Sequence, residues 1–429
     1  MIDPNELKSL FEKHPEAIIQ DLIQQHALKG KYRDILNAYL AENMHEARWQ
    51  KFLWLILLPR RLSVVTVDNF CNLACRMCGG SKGKMEWLKP ESLVKMLAHC
   101  PTTEVITFVA GNSEPMLNPD IAENFRILNE YQINSTFVTN GHYLNRKNIS
   151  AMIEHQQPKS LNVSLDAINP DVYKDIRGAD NSKVLDGLND LLLAKKEAGV
   201  RFPEVSLLMV GMEDNIADLS DFVSLAHKTG AVRVHVDHML GSYSPGDFTL
   251  NPNWRKYMSD ALALADDLGV LLQVPLDSMQ ILLREGHLSE KALSSKEALI
   301  VEEVSEFHDG ASCGMKVVSN QEDLSQTESE PSVRHCPWLQ DVHVHIDGSM
   351  SPCCNTPAGL GNIINQPLWE NELFLETRIR HGKGEIERLC LKNKNCIYVQ
   401  EIENNDLKVK YFRRESLLRT IQSKATKEI

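Results

Sequence analysis

The run Phe70-Cys71-Asn72-Leu73-Ala74-Cys75-Arg76-Met77-Cys78 spaces three cysteines as Cys-x3-Cys-x2-Cys. It follows Leu62 to Val67, a β-branched apolar stretch that reads as a strand, so the thiols are expected in a loop at that strand's C-terminal end. Active sites of parallel barrels gather at that end. Three soft thiolates suit an iron–sulfur cluster and leave a fourth iron open. A zinc ion would want a fourth Cys or His close by, and no His lies in this segment.

Downstream, short β-branched runs alternate with longer amphipathic ones: Val105 to Val109, Ser135 to Thr139, Leu161 to Leu165, Val205 to Val210 and Val232 to Val236 read as strands. Pro90 to His99 and Ser182 to Ala198 suit crossover helices. The expected fold class is therefore α/β, an incomplete parallel (β/α)6 barrel over residues 59–285. Residues 1–58 read as an N-terminal helical extension, with Leu7, Leu10, Phe11, Ile18, Ile19, Leu22 and Ile23 at helical spacing. The run Phe52 to Leu58, followed by Arg60-Arg61, belongs in the core or on a partner or membrane surface. Residues 286–334, with Glu302, Glu303, Glu306 and Ser319 to Pro331, are too polar to bury much surface and read as an interdomain loop. Residues 335–429 form the last unit. It opens on an alternating stretch Val342 to Ile346, an Asp347-Gly348 turn and a return from Met350 to Cys354.

The 429 residues are 43% hydrophobic and 24% charged, as in globular proteins with a sizeable core. A formal charge of -12 disfavours nucleic acid as a partner. No apolar run approaches the roughly 20 residues of a transmembrane helix. Met1-Ile2-Asp3-Pro4-Asn5-Glu6 lacks the features of a secretion signal, so a cytoplasmic location is expected. Ten cysteines in such a chain point to metal or redox chemistry before disulfides.

The Cys-x3-Cys-x2-Cys pattern resembles the signature of the radical S-adenosylmethionine (radical SAM) superfamily, and further motifs follow in the expected order. The resemblance implies a [4Fe-4S] cluster on Cys71, Cys75 and Cys78, whose open iron chelates the amino and carboxylate groups of S-adenosylmethionine. Reductive cleavage of that cofactor then yields a 5′-deoxyadenosyl radical that abstracts a substrate hydrogen. Ala110-Gly111-Asn112-Ser113-Glu114-Pro115 looks like the family's Gly-Gly-Glu-Pro element, so Gly111 and Glu114 are implied on the cofactor's amino group. Asn162-Val163-Ser164-Leu165-Asp166 and Ile176-Arg177-Gly178 resemble the fourth strand and the arginine that meet its ribose and carboxylate. This implies cofactor contacts for Ser164, Asp166 and Arg177. A strand terminus and a surface salt bridge are the plain alternatives. Thr139-Asn140-Gly141 ends the third strand similarly, with Asn140 as the contact or simply a turn. Met77 stands where the family often has an aromatic residue near adenine; a thioether also contacts a purine face.

In the last unit, Cys336, Cys353, Cys354, Cys390 and Cys396 resemble the twitch or SPASM extension of the superfamily. Seven cysteines hold two clusters in a full SPASM domain, so these imply one auxiliary [4Fe-4S] cluster on Cys336, Cys353, Cys390 and Cys396. Cys354 can exchange with Cys353, and zinc is the alternative metal. Cys100, ending a predicted helix, reads as a packed small hydrophobe. Cys313, in the glycine-flanked loop Asp309 to Gly314, and Cys354 are candidate hydrogen-atom donors of the kind some radical epimerases use. An ordinary loop cysteine is the other reading of Cys313.

The implied function is oxidation, cross-linking or epimerisation in peptide or natural-product maturation, on a peptide or a small polar substrate. An electron donor such as flavodoxin or ferredoxin is implied as partner. The all-helical N-terminus tilts away from a leader-binding maturase. An ending of Lys427-Glu428-Ile429 disfavours the superfamily's molybdenum-cofactor enzyme, whose C-terminus carries a glycine pair. The alternatives are a catalytically silent scaffold of this fold and an RNA-modifying radical enzyme.

Overall fold

The structure, a computed structural model, describes residues 58–78, 82–109, 113–239, 245–287, 341–352, 358–371, 373–374 and 377. The N-terminal helices, the polar loop beyond His287 and the positions Gly111, Cys313, Cys336, Cys353, Cys354, Cys390 and Cys396 lie outside the described residues.

One mixed sheet dominates. Its parallel strands are β1 (Arg61–Val65), β4 (Val105–Val109), β5 (Asn134–Thr139), β6 (Ser160–Ser164), β7 (Glu204–Gly211), β8 (Arg233–His238) and β9 (Leu271–Gln273). The six expected strands and both expected helices, α1 (Pro90–His99) and α5 (Ser182–Ala198), are present. Between the strands run α2 (Ile121–Glu130), α3 (Arg146–His155), α4 (Pro170–Arg177), α6 (Leu219–Thr229), α7 (Trp254–Leu268) and α8 (Leu276–Arg284). With β10 (Asp341–Val344) and β11 (Met350–Ser351) the sheet runs β11-β10-β1-β4-β5-β6-β7-β8-β9 and so ends in two edges, giving an incomplete barrel.

Two features differ from expectation. The first strand stops at Val65: β2 (Val67–Phe70) leaves the sheet to pair antiparallel with β3 (Lys82–Trp87). The hairpin expected in a separate C-terminal unit instead extends the barrel sheet. Its first strand, β10 (Asp341–Val344), lies parallel to β1, and β11 (Met350–Ser351) returns antiparallel. The turn is as expected, with Gly348 at φ +84°.

Register explains the alternation in the sequence, because residues paired across neighbouring strands point to the same face. One row, Val344, Val64, Phe108, Phe137, Leu161 and Val205, is apolar and buried against the helices. Phe125 of α2 meets Phe137 edge-on at 5.8 Å, which fixes this as the helix-facing side. The neighbouring row, His343, Ser63, Thr107, Thr136, Ser160 and Glu204, is polar and faces the concave side. Each large apolar side chain fully buried outward contributes about 1.5–3 kcal/mol. The outer face therefore carries the stability, and the inner face is left for chemistry.

Candidate active site

Cys71 begins the loop that joins β2 to β3, so the three thiols stand at the tip of a two-stranded ribbon over the C-terminal ends of the barrel strands. Lys82, the first residue of β3, reaches back with Nζ to the carbonyls of Cys71 and Leu73, both at 2.7 Å. The Cys78 amide donates to the Cys75 carbonyl at 3.1 Å, and the Arg76 amide to the Ile176 carbonyl of α4 at 2.8 Å. Arg76 forms ion pairs with Asp175 at 2.7 Å and Asp214 at 2.9 Å. The loop is thus pinned from β3, from α4 and from the segment after β7.

Cys71 and Cys75 are half-buried and Cys78 is exposed. Burial pushes the Cys71 thiol up, while the Leu73 amide, 3.5 Å from its sulfur, pulls it back. Burial likewise raises Cys75, and the Arg177 guanidinium opposes it more strongly than Asp166 reinforces it. Charge on Cys78 acts on both other thiols, so the three sulfurs share one locality. Among the described residues no three Cys, His, Asp or Glu converge tightly enough for a single metal ion. A four-iron cluster makes no such demand, since each thiolate takes a separate iron. The donor set fits that group, and its loading would release protons from the raised thiols.

The strand ends supply the surroundings. Glu114, buried, accepts from the Met116 amide at 3.0 Å, the Thr139 hydroxyl at 2.6 Å and the Asn140 amide at 2.8 Å. Burial raises its pKa against those three bonds. The Glu114 amide meets the Phe70 carbonyl at 3.3 Å, so this one residue ties β2, β4 and β5 together. Asn140, positioned in turn, donates from Nδ2 to Asn72 Oδ1 at 2.8 Å and stands 3.9 Å from Cys71 Sγ. Gly141 follows at φ +78°, where an added Cβ would lie 2.7 Å from Val184.

Asp166, just past β6, adopts φ +63°, a left-handed conformation costing about 1–3 kcal/mol in a non-glycine residue. The Val210 amide donates to its carboxylate at 2.8 Å and Asn215 Nδ2 to its carbonyl at 2.8 Å, which holds it there. Arg177 is the last residue of α4, a helix capped by Asn169 at one end and by Gly178 in the left-handed region at the other. Its Nη2 lies 2.6 Å from Asp166 Oδ2 and its Nη1 3.7 Å from Cys75 Sγ. Burial opposes the Arg177 charge, but Asp166, Cys75 and Tyr173 together outweigh it, so its pKa is raised. A carboxylate of the chain itself, Asp166, thus pairs with one terminal nitrogen of the guanidinium, while Nε has no partner among the described residues. Ser164 and Met77 are half-buried near these strand ends. Cys100 is fully buried under α1, away from the loop, as a packed small hydrophobe.

A family model described as the radical SAM superfamily matches residues 65–226. Over those residues the chain is similar to the radical SAM superfamily. Its matched segment is 26% identical over 173 residues to the probable GTP 3′,8-cyclase of Methanocaldococcus jannaschii, covering 39% of this chain and 55% of that protein. It is 26% identical over 164 residues to the mycofactocin maturase MftC of Mycobacterium ulcerans, covering 38% and 42%. The chain thus spans about half the length of the curated relatives it matches. The crystal structure of Streptococcus suis SuiB bound to S-adenosylmethionine superposes with a TM-score of 0.54 at 13% identity, over 94% of this chain and 88% of that one. A second SuiB structure, bound to the precursor peptide SuiA, gives 0.53 at 14% identity over 94% and 87%. The shared fold is that of a radical SAM protein, and this fold implies S-adenosylmethionine and a [4Fe-4S] cluster.

Asn72, Lys82, Asp214 and Asn215 were not among the sequence-predicted site residues. Asn72 sits inside the cysteine motif and was within reach of a sequence argument. The other three acquire their roles only through pairing of β3 and the path of the chain after β7. Among the described residues no helix is long and apolar enough to cross a membrane.

Proposed function

We propose that this radical SAM protein is an enzyme that cleaves S-adenosylmethionine reductively and takes a hydrogen atom from a peptide or small polar substrate. The observation that carries this reading is the cysteine loop, pinned from three sides at the mouth of the barrel with Cys78 facing outward. When bound, the cofactor and the cluster supply an organic radical strong enough to break a carbon–hydrogen bond. Cys71, Cys75 and Cys78 hold the iron; Asn140 and Glu114 fix the loop from behind. Ser164 and Met77, half-buried beside it, contact the nucleoside. Met77 would meet the adenine through its thioether.

The concave face supports a polar substrate. Ser164, His235, Asp237 and Gln273 line it half-buried, with His235 Nε2 3.1 Å from Asp237 Oδ1. The fold shared with a protein crystallised with its precursor peptide, and the likeness to a maturase, favour a peptide over a free metabolite. Likeness to GTP 3′,8-cyclases supports the small-molecule arm. An auxiliary [4Fe-4S] cluster on Cys336, Cys353, Cys390 and Cys396 would accept the electron left after hydrogen abstraction, making the net reaction an oxidation or a cross-link. If epimerisation is the outcome, Cys313 or Cys354 returns the hydrogen. A flavodoxin or ferredoxin serves as electron donor.

The test is anaerobic reconstitution of the whole chain, with iron quantified and 5′-deoxyadenosine measured under reduction. About four irons per chain signal the barrel cluster alone and about eight add the auxiliary one. Replacing Cys71, Cys75 or Cys78 by Ala is expected to abolish 5′-deoxyadenosine formation. Undiminished formation in those variants would overturn the assignment of the cluster to these cysteines, and none in the unaltered iron-loaded protein would favour the silent scaffold.

A further inference from the structure

Arg177 is buried at the end of α4 with both terminal nitrogens directed at charge-bearing atoms of the chain. Nη2 pairs with Asp166 Oδ2 at 2.6 Å and Nη1 stands 3.7 Å from Cys75 Sγ, within the range of an N–H···S hydrogen bond. The pair is held from every side. Asp166 is fixed in its left-handed conformation by Val210 and Asn215, and Gly178, ending α4, sits against the Ala74 carbonyl at 3.4 Å from where a Cβ would stand. Nε carries no partner among the described residues, while Nη1 brings the positive charge of the guanidinium to the sulfur of Cys75.

Hydrogen bonds and positive charge at ligating sulfurs make an iron–sulfur centre easier to reduce, because reduction adds negative charge that they stabilise. We propose that Arg177 is a tuning residue that raises the reduction potential of the cluster on Cys71, Cys75 and Cys78, with Asp166 setting how far. The inference rests on the cluster reading above. The step it governs is a one-electron transfer. A low-potential donor outside the protein loses one electron, the iron centre gains it, and no bond or proton moves at Arg177.

Opposite signs at the two partners separate tuning from support. Arg177→Gln keeps an N–H donor but removes the cation and leaves the buried Asp166 charge uncompensated, so reduction becomes harder. Asp166→Asn is nearly isosteric, tolerates the left-handed conformation and leaves Arg177 to act unopposed, so reduction becomes easier. The double variant falls between, and Arg177→Lys, which retains charge without the planar fork, stays nearer the unaltered protein.

The experiment is an EPR-monitored redox titration of the full chain, reconstituted anaerobically, with iron counted in every variant. At a fixed poise, Arg177→Gln is expected to lower the reduced-to-oxidised ratio about tenfold, which for one electron is about 59 mV, and Asp166→Asn to raise it. If Arg177→Gln does not retain iron, Asp166→Asn and the double variant decide. Full iron with unmoved potentials, or shifts of the same sign in both single variants, would overturn the inference and leave the cluster reading intact. An unaltered protein that takes up no iron would overturn both.

Discussion

Glu114 is the residue whose chemistry is least replaceable, because both of its oxygens are committed inside the protein. Glutamine can accept at one oxygen, but its amide nitrogen would face the Asn140 N–H that now donates to Oε2. Glu114→Gln is therefore expected to cost roughly 1–3 kcal/mol, seen as a lower midpoint in denaturant unfolding. An unchanged midpoint would mean that Asn140 is fixed by other contacts. Gly141 offers a second measurement, with Gly199 as its control: both have positive φ, but only Gly141 has a side chain, Val184, where a Cβ would go. Gly141→Ala should destabilise by more than Gly199→Ala, which meets nothing within 4 Å and is expected to cost about 1–2 kcal/mol. The cysteines, Glu114, Asn140 and Arg177 were singled out by the resemblance of their motifs and the order of those motifs along the chain, and the structure brings them together. What each side chain touches was not, because Arg177 meets Asp166 and Cys75 only once α4 has packed.

β10 shows where pattern-reading stopped short. Alternation marked Val342 to Ile346 as a strand and Asp347-Gly348 as its turn, and both are present. Its partner, β1, lies at the other end of the chain, and no local signal names a partner that distant. The strand carries His343 to the concave side, where burial, and then His345 beside it, hold its pKa down to about 4. The folded state thus keeps this imidazole neutral while the unfolded chain protonates it near pH 6.5. Its share of stability is complete above that pH and is lost as pH falls toward about 4. His343→Asn is expected to flatten the dependence of unfolding free energy on pH in this window, where one such group contributes a slope of up to about 1.4 kcal/mol per unit. An undiminished slope would assign the acid sensitivity elsewhere. The six barrel strands, by contrast, were legible because each is short, β-branched and apolar on the helix-facing side.

For the molecule as a whole, alternation of strand and helix announced the barrel, and a parallel sheet with helices on one face allows few other arrangements. The extent of the sheet was hidden, since β9 is three residues long and β10 arrives late. A chain ending at His287 retains β1 to β9 but leaves the outer side of β1 without its neighbour. Such a truncation is expected to self-associate in light scattering at concentrations where the full chain does not. Arg61 lies opposite Asp341 across that pairing. Among the described residues β10 alone flanks β1 on that side, so in the order of synthesis this flank waits on residues made long after it. The first strand of the barrel is thus the one whose second neighbour arrives latest, and an interrupted translation product would carry a pairing-ready flank beside it.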